Sequence, residues 1–320
     1  MKTVAIVPCY KSSIIAPKVV RELIKYVDFV ICVDDCCPEL TGKIIQNNII
    51  SDKLRVIFHK RNKGVGGATK TGIHFAKKIA AEIIIKIDSD GQMDPSYIPM
   101  LIEPIINRTS DVTKGNRFRN IDVLIRMPKI RLLGNIILSF ITKLSTGYWE
   151  LFDPTNGFIA INTKILSKIQ YQKTDNRYFF ETDLLFRCGL YDLLISEIEI
   201  PTIYKNEKSG LNPMLESIRY LLSHITIFIK RIIYQYFLID FNPGSLSFLF
   251  GLITGIFTIF AGFKSVLYYK ALNIESPLGM KILFLTSAII SVQLFVSFVY
   301  YDATQRPLRR QIKLLSKNRF

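Results

Sequence analysis

Cysteine and tryptophan are scarce in this chain of 320 residues. It contains one tryptophan, Trp149, and five cysteines, at positions 9, 32, 36, 37 and 188. The cysteines lack the paired spacing of a zinc site, which argues against the common zinc-binding modules. Because disulfides are rare in the cytosol, a few scattered cysteines are typical of a cytosolic domain. We interpret them as inert packing residues.

The sequence also lacks the features of a secretory leader. The first apolar run, Thr3 to Val7, is too short for the core of a signal peptide, and no cleavage site follows it. We therefore expect the main domain to stay on the cytoplasmic side. The sequence has no internal repeat and no low-complexity tract, and its length suits one large domain or two modest ones.

Acidic residues are outnumbered. The chain has 42 lysines and arginines against 26 aspartates and glutamates, a net charge of +16. This excess suggests a polyanionic partner, which is nucleic acid, anionic lipid headgroups or a phosphorylated substrate. No stretch resembles a DNA-recognition helix or an aromatic RNA-binding platform, so we expect no nucleic acid partner.

Two long apolar runs lie near the end of the chain. Residues 246–263 and 282–301 contain no charged side chain, and each run is about as long as a membrane-spanning helix requires. We predict a transmembrane hairpin. The alternative is a pair of buried helices in a soluble core, although such helices are rarely apolar on all sides. Lys and Arg are abundant after Tyr301, so both termini are expected to be cytoplasmic.

The first hundred residues alternate apolar runs with amphipathic segments, which is typical of a parallel sheet flanked by helices. Strands are predicted at residues 3–7, 29–33, 54–58 and 82–87, and helices from about residues 16, 40 and 65. Folds of this kind bind ligands at the carboxyl ends of their strands. The residues that follow the strands are therefore the first candidates for a binding site.

Polar residues follow all four strands. The four segments are Pro8-Cys9-Tyr10, Asp34-Asp35, Lys60-Arg61-Asn62 with a glycine-rich turn, and Asp88-Ser89-Asp90-Gly91-Gln92. Carboxylates at two strand ends and backbone amides at a third suit a diphosphate bound with a divalent cation. A D-x-D triplet by itself is more often a solvated turn. The glycines alone would also fit a dinucleotide-binding fingerprint, but that motif follows the first strand and these follow the third.

Four motifs in this order carry a resemblance to a known family. They are V-P-C-Y (7–10), V-D-D (33–35), N-K-G-V-G-G-A (62–68) and D-S-D-G-Q (88–92). The sequence resembles the family 2 glycosyltransferases with the GT-A fold, over residues 3–210. Within that family it is similar to the polyprenol-phosphate branch, which includes dolichol-phosphate mannose synthase and bacterial undecaprenyl-phosphate glucosyltransferases.

The resemblance implies an α/β fold with a Rossmann-like, mostly parallel sheet. It implies inverting transfer of a sugar from a UDP- or GDP-linked donor to the phosphate of a polyprenol carrier, with Mg²⁺ or Mn²⁺ as cofactor. The expected site is an inner, plasma or endoplasmic reticulum membrane, crossed more than once, with the catalytic domain in the cytoplasm. A homo-oligomer is left open.

Four parts of the chain are predicted on this basis. They are a GT-A catalytic domain (1–210), juxtamembrane amphipathic helices (211–242), a transmembrane hairpin (243–303) and a basic cytoplasmic tail (304–320). The helix predicted at 213–236 has an apolar stripe accompanied by Arg219, Lys230 and Arg231. It lies either in the membrane interface or against the sheet domain.

By resemblance, the nucleotide-sugar donor and its cation occupy the strand ends. Pro8, Tyr10 and Asp35 would border the nucleoside, and Asp88, Asp90 and Gln92 would hold the cation on the diphosphate. The other predicted donor-binding residues are Asp34, Lys63, Gly64, Ser89, Glu181 and Asp183. One departure concerns the second motif, where the usual Asp-Asp-Gly-Ser is Asp34-Asp35-Cys36-Cys37.

The acceptor side is predicted from three further segments. Arg117 falls where the family has a basic residue near the phosphates, and Arg131 belongs to a segment (127–131) that resembles its acceptor loop. The planar guanidinium binds phosphate oxygens in pairs, although each arginine alone would also suit a surface charge. Asp153, in the turn 152–158, is predicted to contact the sugar or the acceptor. Together with Asp88 and Asp90, these three residues form the predicted catalytic set.

The pair Glu181 and Asp183 lies where relatives carry a base for a hydroxyl acceptor. A phosphate monoester has its second pKa near about 6, so a phosphate acceptor is already a dianionic nucleophile at neutral pH. The pair would then position the sugar or an arginine, or serve only to start a helix. Tyr204 and Glu207-Lys208-Ser209 resemble the family's closing segment, which could fold over the donor, although a surface turn is equally compatible.

Three alternatives remain. A processive polysaccharide synthase would carry a Q-x-x-R-W motif, and this sequence has none. A membrane-anchored glycosyltransferase acting on a glycan, lipid or protein hydroxyl is the main enzymatic alternative. A catalytically inactive membrane scaffold is disfavoured by the intact Asp88, Asp90 and Gln92.

Overall fold

The computed structural model describes residues 1–118, 129–201 and 213–317. The strands are β1 (Thr3–Cys9), β2 (Phe29–Asp34), β3 (Leu54–Phe58), β4 (Ile83–Lys86), β5 (Val112–Asn116), β6 (Ile159–Asn162) and β7 (Ile195–Glu199). The helices before residue 200 are α1 (Ala16–Tyr26), α2 (Thr41–Asn48), α3 (Gly64–Lys78), α4 (Ile98–Ile106), α5 (Lys129–Thr146), α6 (Thr163–Lys168) and α7 (Phe180–Leu190). The later helices are α8 (Pro213–Ile232), α9 (Pro243–Gly262) and α10 (Leu278–Lys317). Short 3₁₀ turns (Pro95–Tyr97, Tyr171–Lys173), π-helical stretches (Ile233–Leu238, Phe263–Tyr268) and a helical turn (Tyr269–Ala271) complete the described elements.

The described strands form one seven-stranded sheet in the order β3-β2-β1-β4-β6-β5-β7. The first four strands pair in parallel, β6 is antiparallel to both of its neighbours, and β5 pairs in parallel with β7. The sheet is therefore mostly parallel, as the resemblance implies. The predicted strands and helix starts of the first hundred residues are confirmed to within about two residues.

Both faces of the sheet are covered, so its central strands are apolar throughout. On β1 the side chains of Val4 and Ile6 pack toward α3 and α7, whereas Ala5 and Val7 pack toward α1 and α4. All seven residues of β1 are buried. This packing fixes the sheet and leaves the carboxyl ends of β1, β2 and β4 as the place where polar side chains can gather.

The chain divides into two compact units. The first comprises Met1–Phe228 with the end of the chain from Arg310, and the second comprises Ile229–Arg309. Arg310, which the sequence analysis assigned to the basic tail, is buried in the first unit. Its guanidinium lies 3.7 Å from the centre of the Tyr148 ring and donates to the Gly147 carbonyl (2.9 Å) and to Glu150 Oε1 (2.5 Å). The bounds of the four predicted parts stay a prediction.

The helix α8 covers most of the 213–236 segment, and one side of it packs against the sheet domain, as one of the two interpretations expects. The membrane-interface interpretation stays a prediction. Tyr220 and Ile227 pack near Phe179 in a small apolar cluster of the first unit, and His224 Nδ1 lies 2.8 Å from Ser145 Oγ. On other sides of the helix, Ile218, Leu222 and Ile225 are about half exposed. The helix therefore packs on the sheet domain and also leaves an apolar stripe uncovered.

In the second unit, α9 and α10 are each long and apolar enough to cross a membrane. The candidate spans run over Pro243–Ala271 and Leu278–Gln305, and only 11% and 17% of their most apolar windows are buried. A core helix of a soluble protein would be mostly buried. Small residues bring the two helices together, with Ser291 Oγ donating to the Gly251 carbonyl at 3.0 Å.

Candidate active site

A cavity of about 630 Å³ opens at the carboxyl ends of β1, β2 and β4, where the sequence predicted a binding site. The predicted residues that line it are Pro8, Tyr10, Asp35, Gly64, Asp88, Ser89, Asp90 and Glu181. Within the described part of the chain, six predicted residues lie outside its lining, namely Asp34, Lys63, Gln92, Arg117, Asp153 and Asp183. Lys86, Arg177 and Tyr178 also line it, although the sequence analysis did not single them out.

Asp34 is a structural residue of the turn after β2. It is 4% exposed, and its carboxylate accepts hydrogen bonds from the backbone N–H of Cys37 (2.8 Å) and of Gly42 (2.6 Å). These bonds tie the Cys36-Cys37 turn and the first turn of α2 to the end of β2. Asp34 therefore stabilises the backbone that follows β2 and does not line the cavity itself.

Asp35 reaches the cavity and caps α3 at the same time. Its carboxylate accepts hydrogen bonds from the backbone N–H of Lys63 (2.8 Å) and of Gly64 (2.7 Å). His59 Nδ1 lies 2.6 Å from Asp35 Oδ1, and His59 Nε2 lies 2.9 Å from Thr71 Oγ1. The first amides of α3 are thus bonded to Asp35, and His59 orients the carboxylate.

The glycine-rich segment admits another part of the chain. Gly64 has φ +83°, and a Cβ there would lie 2.5 Å from the Asn176 carbonyl oxygen. A Cβ at Gly66 would collide with the Asp175 carbonyl oxygen, and Gly67 N–H donates to the Asn176 carbonyl at 2.9 Å. The glycines therefore let residues 175–177 approach α3, which brings Arg177 to the cavity. The spacing indicated a close approach, but it could not identify the segment that makes it.

A buried ion-paired cluster joins two walls of the cavity. Lys86 Nζ lies 2.7 Å from Asp88 Oδ1 and 2.7 Å from Glu181 Oε1. Burial disfavours the charged ammonium, but the two carboxylates outweigh that effect and raise the pKa of Lys86 above its ordinary value. The sequence held a signal for this residue, since a lysine between Ile85 and Ile87 in an apolar strand needs a partner when buried.

Asp88 and Asp90 fit the protein's share of a divalent-cation site. Gln92 N–H donates to Asp90 Oδ1 at 2.9 Å, and Gly91 between them has φ +71°, so the acidic loop turns tightly around Asp90. Among the described residues, no three His, Cys, Asp or Glu side chains form a metal cage. Mg²⁺ commonly binds through one or two carboxylates together with substrate phosphates, so the donor set here matches that mode.

Arg117 and Asp153, predicted separately, contact each other. Arg117 donates from Nε to Asp153 Oδ2 at 2.7 Å and from its NH2 nitrogen to Oδ1 at 2.9 Å. Asp153 is 0% exposed, and its carboxylate also accepts from the Asn156 side chain. The geometry gives Asp153 the task of holding Arg117 in place. Its predicted contact with sugar or acceptor stays a prediction.

Glu197 on β7 supports this pair and was missed in the sequence. Its carboxylate accepts from Asn116 Nδ2 (2.7 Å), Phe152 N–H (3.0 Å) and Asp153 N–H (2.8 Å). Burial raises the pKa of Glu197. The pairing of β5 with β7 sets Glu197 opposite Lys114, within hydrogen-bond reach of Asn116 two residues further along β5. No local pattern could have revealed this contact.

Asp183, Arg131 and the predicted closing segment are the remaining predicted residues. Asp183 lies 3.3 Å from Arg187 Nε and accepts from the Asp175 N–H at 2.9 Å. Arg131 belongs to α5, but its side chain is outside the described part of the structure. The same holds for residues 127 and 128 of its predicted loop and for the segment with Tyr204 and Glu207-Lys208-Ser209.

The site combines a cavity at the strand ends of a mostly parallel sheet with an acidic loop at its edge. Residues 4–170, more than half of the chain, match glycosyl transferase family 2, and the chain belongs to this family.

Two relatives illustrate the likeness. The chain is 34% identical over 213 residues to a UDP-N-acetylglucosamine–dolichyl-phosphate N-acetylglucosaminyltransferase of Methanococcus voltae, covering 62% of this chain and 84% of that protein. It is 25% identical over 219 residues to an undecaprenyl-phosphate mannosyltransferase of Micrococcus luteus, covering 67% and 88%. These relatives support the polyprenol-phosphate branch.

The fold is shared with solved structures. The glucosyl-3-phosphoglycerate synthase of Mycobacterium tuberculosis superposes with a TM-score of 0.53 at 18% identity, covering 70% of this chain and 80% of that one. At this identity the likeness concerns the fold alone, and it confirms the GT-A-like, mostly parallel architecture expected from the sequence.

Proposed function

We propose that the chain transfers a sugar from a UDP- or GDP-linked donor to the phosphate of a polyprenol carrier. The observation that carries the proposal is the cavity at the strand ends, in which Asp35, Asp88 and Asp90 surround a space suited to a sugar nucleotide. The relatives named for transfer to dolichyl and undecaprenyl phosphate support the choice of acceptor.

The reaction is a direct displacement at the anomeric carbon. An oxygen of the acceptor phosphate forms a bond to that carbon while the bond to the donor's diphosphate breaks, and the nucleoside diphosphate leaves with the electron pair. A Mg²⁺ or Mn²⁺ ion held by Asp88 and Asp90, with Gln92 beside them, would neutralise charge on the departing diphosphate. One solved structure of this fold was obtained with Mn²⁺ and UDP, which is compatible with that cofactor.

The chain's own residues act by positioning. Pro8, Tyr10 and Asp35 line the end of the cavity where the nucleoside would bind. Arg117 is fixed by two hydrogen bonds to Asp153, and its guanidinium would contact the phosphates. Holding both reactants in register lowers the barrier without a covalent intermediate.

The pairing of the two candidate bases favours a phosphate over a hydroxyl acceptor. Glu181 Oε1 is bonded to Lys86, and Asp183 contacts Arg187 and the Asp175 N–H. A hydroxyl acceptor needs a carboxylate that can take its proton. A phosphate monoester, with a second pKa near about 6, arrives already ionised and needs none.

We further propose that the reaction takes place at the cytoplasmic face of a membrane in which α9 and α10 form a two-span hairpin. Their length, apolar composition and exposure support this proposal. The uncovered stripe of α8, with Ile218, Leu222 and Ile225, would rest in the lipid interface. A cytoplasm-specific fluorescent reporter fused to the C-terminus should be active, and activity only of a secreted-phosphatase fusion would contradict this orientation.

The function is tested with the full-length protein in nanodiscs. Radiolabelled UDP- and GDP-sugars are offered with undecaprenyl or dolichyl phosphate, and label should enter the organic phase only when the phosphorylated lipid is present. The dephosphorylated polyprenol is the matched control for a hydroxyl acceptor. Transfer to that alcohol or to a soluble glycan, with none to the phosphate, would establish the alternative enzyme instead.

A further inference from the structure

We propose that Lys86 prevents the acidic loop from holding a divalent cation by itself, so that the cation and the donor's diphosphate bind together. This inference rests on the proposed function. Lys86 acts through Asp88 and Glu181, which makes it a positioning residue.

The first support is the place of the ammonium. Lys86 ends β4, is 3% exposed, and lies 2.7 Å from one oxygen of Asp88 and 2.7 Å from one oxygen of Glu181. A Cβ at Gly157 would collide with Lys86 Nζ and would lie 2.5 Å from Asp88 Oδ2. The turn that follows Asp153 thus closes over the pair, and only glycine leaves room for it.

The second support is the charge balance. One ammonium faces two carboxylates in this cluster, and Asp90 lies two residues further along the same loop. A divalent cation approaching Asp88 meets the ammonium already bonded to that carboxylate, and like charges at such short range repel each other. A diphosphate brings negative charge that offsets the ammonium. The loop and the diphosphate together therefore form a much better cation site than the loop alone.

A comparison with Lys114 separates burial from this role. Lys114 on β5 is also fully buried, but its Nζ donates to the Asn156 backbone carbonyl at 2.7 Å. The two lysines of the same sheet thus differ in their bonded partners, which are two carboxylates for Lys86 and a backbone carbonyl for Lys114. Lys86 is the one whose ammonium is bonded to the acidic loop.

The test measures Mn²⁺ binding rather than turnover. Full-length protein in nanodiscs is titrated with Mn²⁺ alone, and then with UDP or GDP present, while free Mn²⁺ is followed by electron paramagnetic resonance. In the unchanged protein, a nucleoside diphosphate should raise Mn²⁺ affinity by about tenfold or more. In Lys86→Met, affinity for Mn²⁺ alone should rise about tenfold, and the additional gain from the nucleotide should shrink accordingly.

Matched variants keep the result specific. Lys114→Met removes a buried lysine of the same sheet that is bonded to the Asn156 carbonyl, so it should raise Mn²⁺ affinity much less than Lys86→Met does. Lys86→Met combined with Glu181→Gln restores the original difference between cations and carboxylates, so its affinity for Mn²⁺ alone should return toward that of the unchanged protein. An unaltered Mn²⁺ affinity in Lys86→Met, or an equal rise in Lys114→Met, overturns the proposal.

A second variant tests the proposal if Lys86→Met does not fold. If Lys86→Met loses its melting transition, Glu181→Gln alone is used, because it leaves Lys86 paired only with Asp88. Mn²⁺ affinity in the presence of nucleotide should then fall about tenfold, and no change contradicts the role of Lys86. If the unchanged protein binds no Mn²⁺ even with nucleotide, the metal step of the proposed function fails. If nucleotide raises Mn²⁺ affinity equally in the unchanged protein and in Lys86→Met, only the role of Lys86 fails.

Discussion

Two buried ion-paired clusters in this protein share their chemistry but differ in access. In the cavity, Lys86 is divided between Asp88 and Glu181, and the Asp88 side chain is 30% exposed. In the second unit, Arg231 donates to both oxygens of Asp302 at 2.9 and 2.8 Å, and both residues are 0% exposed. Tyr236 OH also donates to Asp302 at 2.6 Å.

The difference shows what makes a buried charge useful for binding. The Arg231–Asp302 pair is fully buried, so it joins helices and offers no accessible charge to a ligand. The cavity cluster faces open space, so a cation or a charged substrate can reach it. Access decides the role, since the residue types are similar in both places.

The largest effect should come from breaking the open site. Asp90→Ala should lower transfer activity by on the order of a thousandfold, because the charge developing on the leaving diphosphate loses its cation. Radiolabelled sugar extracted with the lipid measures it. Asp94→Ala is the matched control on the same loop, where the side chain caps a short turn through the Ser96 N–H. Equal activity in Asp90→Ala and the unchanged protein would refute the metal role.

Breaking the closed cluster should instead reduce stability. Asp302→Asn removes the carboxylate that Arg231 contacts through two hydrogen bonds in a fully buried position, which should cost about 3 to 5 kcal/mol of unfolding free energy. The measurement is thermal unfolding in nanodiscs, with nucleotide affinity of the folded protein expected to stay the same. The double variant Arg231→Met, Asp302→Leu removes both charges and should be milder. A double variant as damaging as the single one would show that the cost is not an uncompensated charge.

A third buried ionisable group, His224, is uncharged in the folded protein at neutral pH. His224 is 2% exposed, burial lowers its pKa to about 4, and its Nε2 has no hydrogen-bond partner among the described residues. A histidine in the unfolded chain takes up a proton at about pH 6.5. Stability should therefore be unaffected above that pH and fall by up to about 3 kcal/mol as the pH drops toward 4.

The variant His224→Leu checks this expectation. Its melting temperature should decline less than that of the unchanged protein between neutral and acid pH, since the variant cannot bind the additional proton when unfolded. Other carboxylates contribute equally to both proteins, so the difference between their pH profiles isolates His224. Parallel profiles would contradict the assignment.

The smallest effect concerns the support of Arg117. Glu197→Gln preserves size but weakens the bonds to the N–H groups of Phe152 and Asp153, so Arg117 should be less well placed. We expect kcat/KM for the lipid acceptor to fall about tenfold with donor KM unchanged. Glu199→Gln, exposed on the same strand, is the control. A rise in donor KM instead would connect Glu197 with the open cluster rather than with the acceptor side.

Much of the fold could be predicted because its signals are local. The apolar runs that became β1 to β4 and the helix starts near residues 16, 41 and 64 follow directly from periodicity. The family motifs then placed Asp35, Asp88 and Asp90 at one sheet edge, where the cavity is found. Local patterns of this kind need no knowledge of the partner strand.

The pairing of charges could not be predicted in the same way. Asp153 and Arg117 are 36 residues apart, and Lys86 and Glu181 are 95 residues apart, so only the folded sheet brings each pair into contact. The glycine-rich segment illustrates the same limit, because its spacing indicated a tight approach while the approaching residues 175–177 lie more than 100 positions away.

The sequence by itself determined the family, the order of strands and helices along the chain, the acidic loop and the apolar runs near its end. Only the tertiary structure decided which carboxylates face the cavity and which are engaged by cations or amides. The physical reason is that periodicity and motif chemistry act over a few residues. The state of a buried charge depends on every group within a few ångströms, whatever its position in the chain.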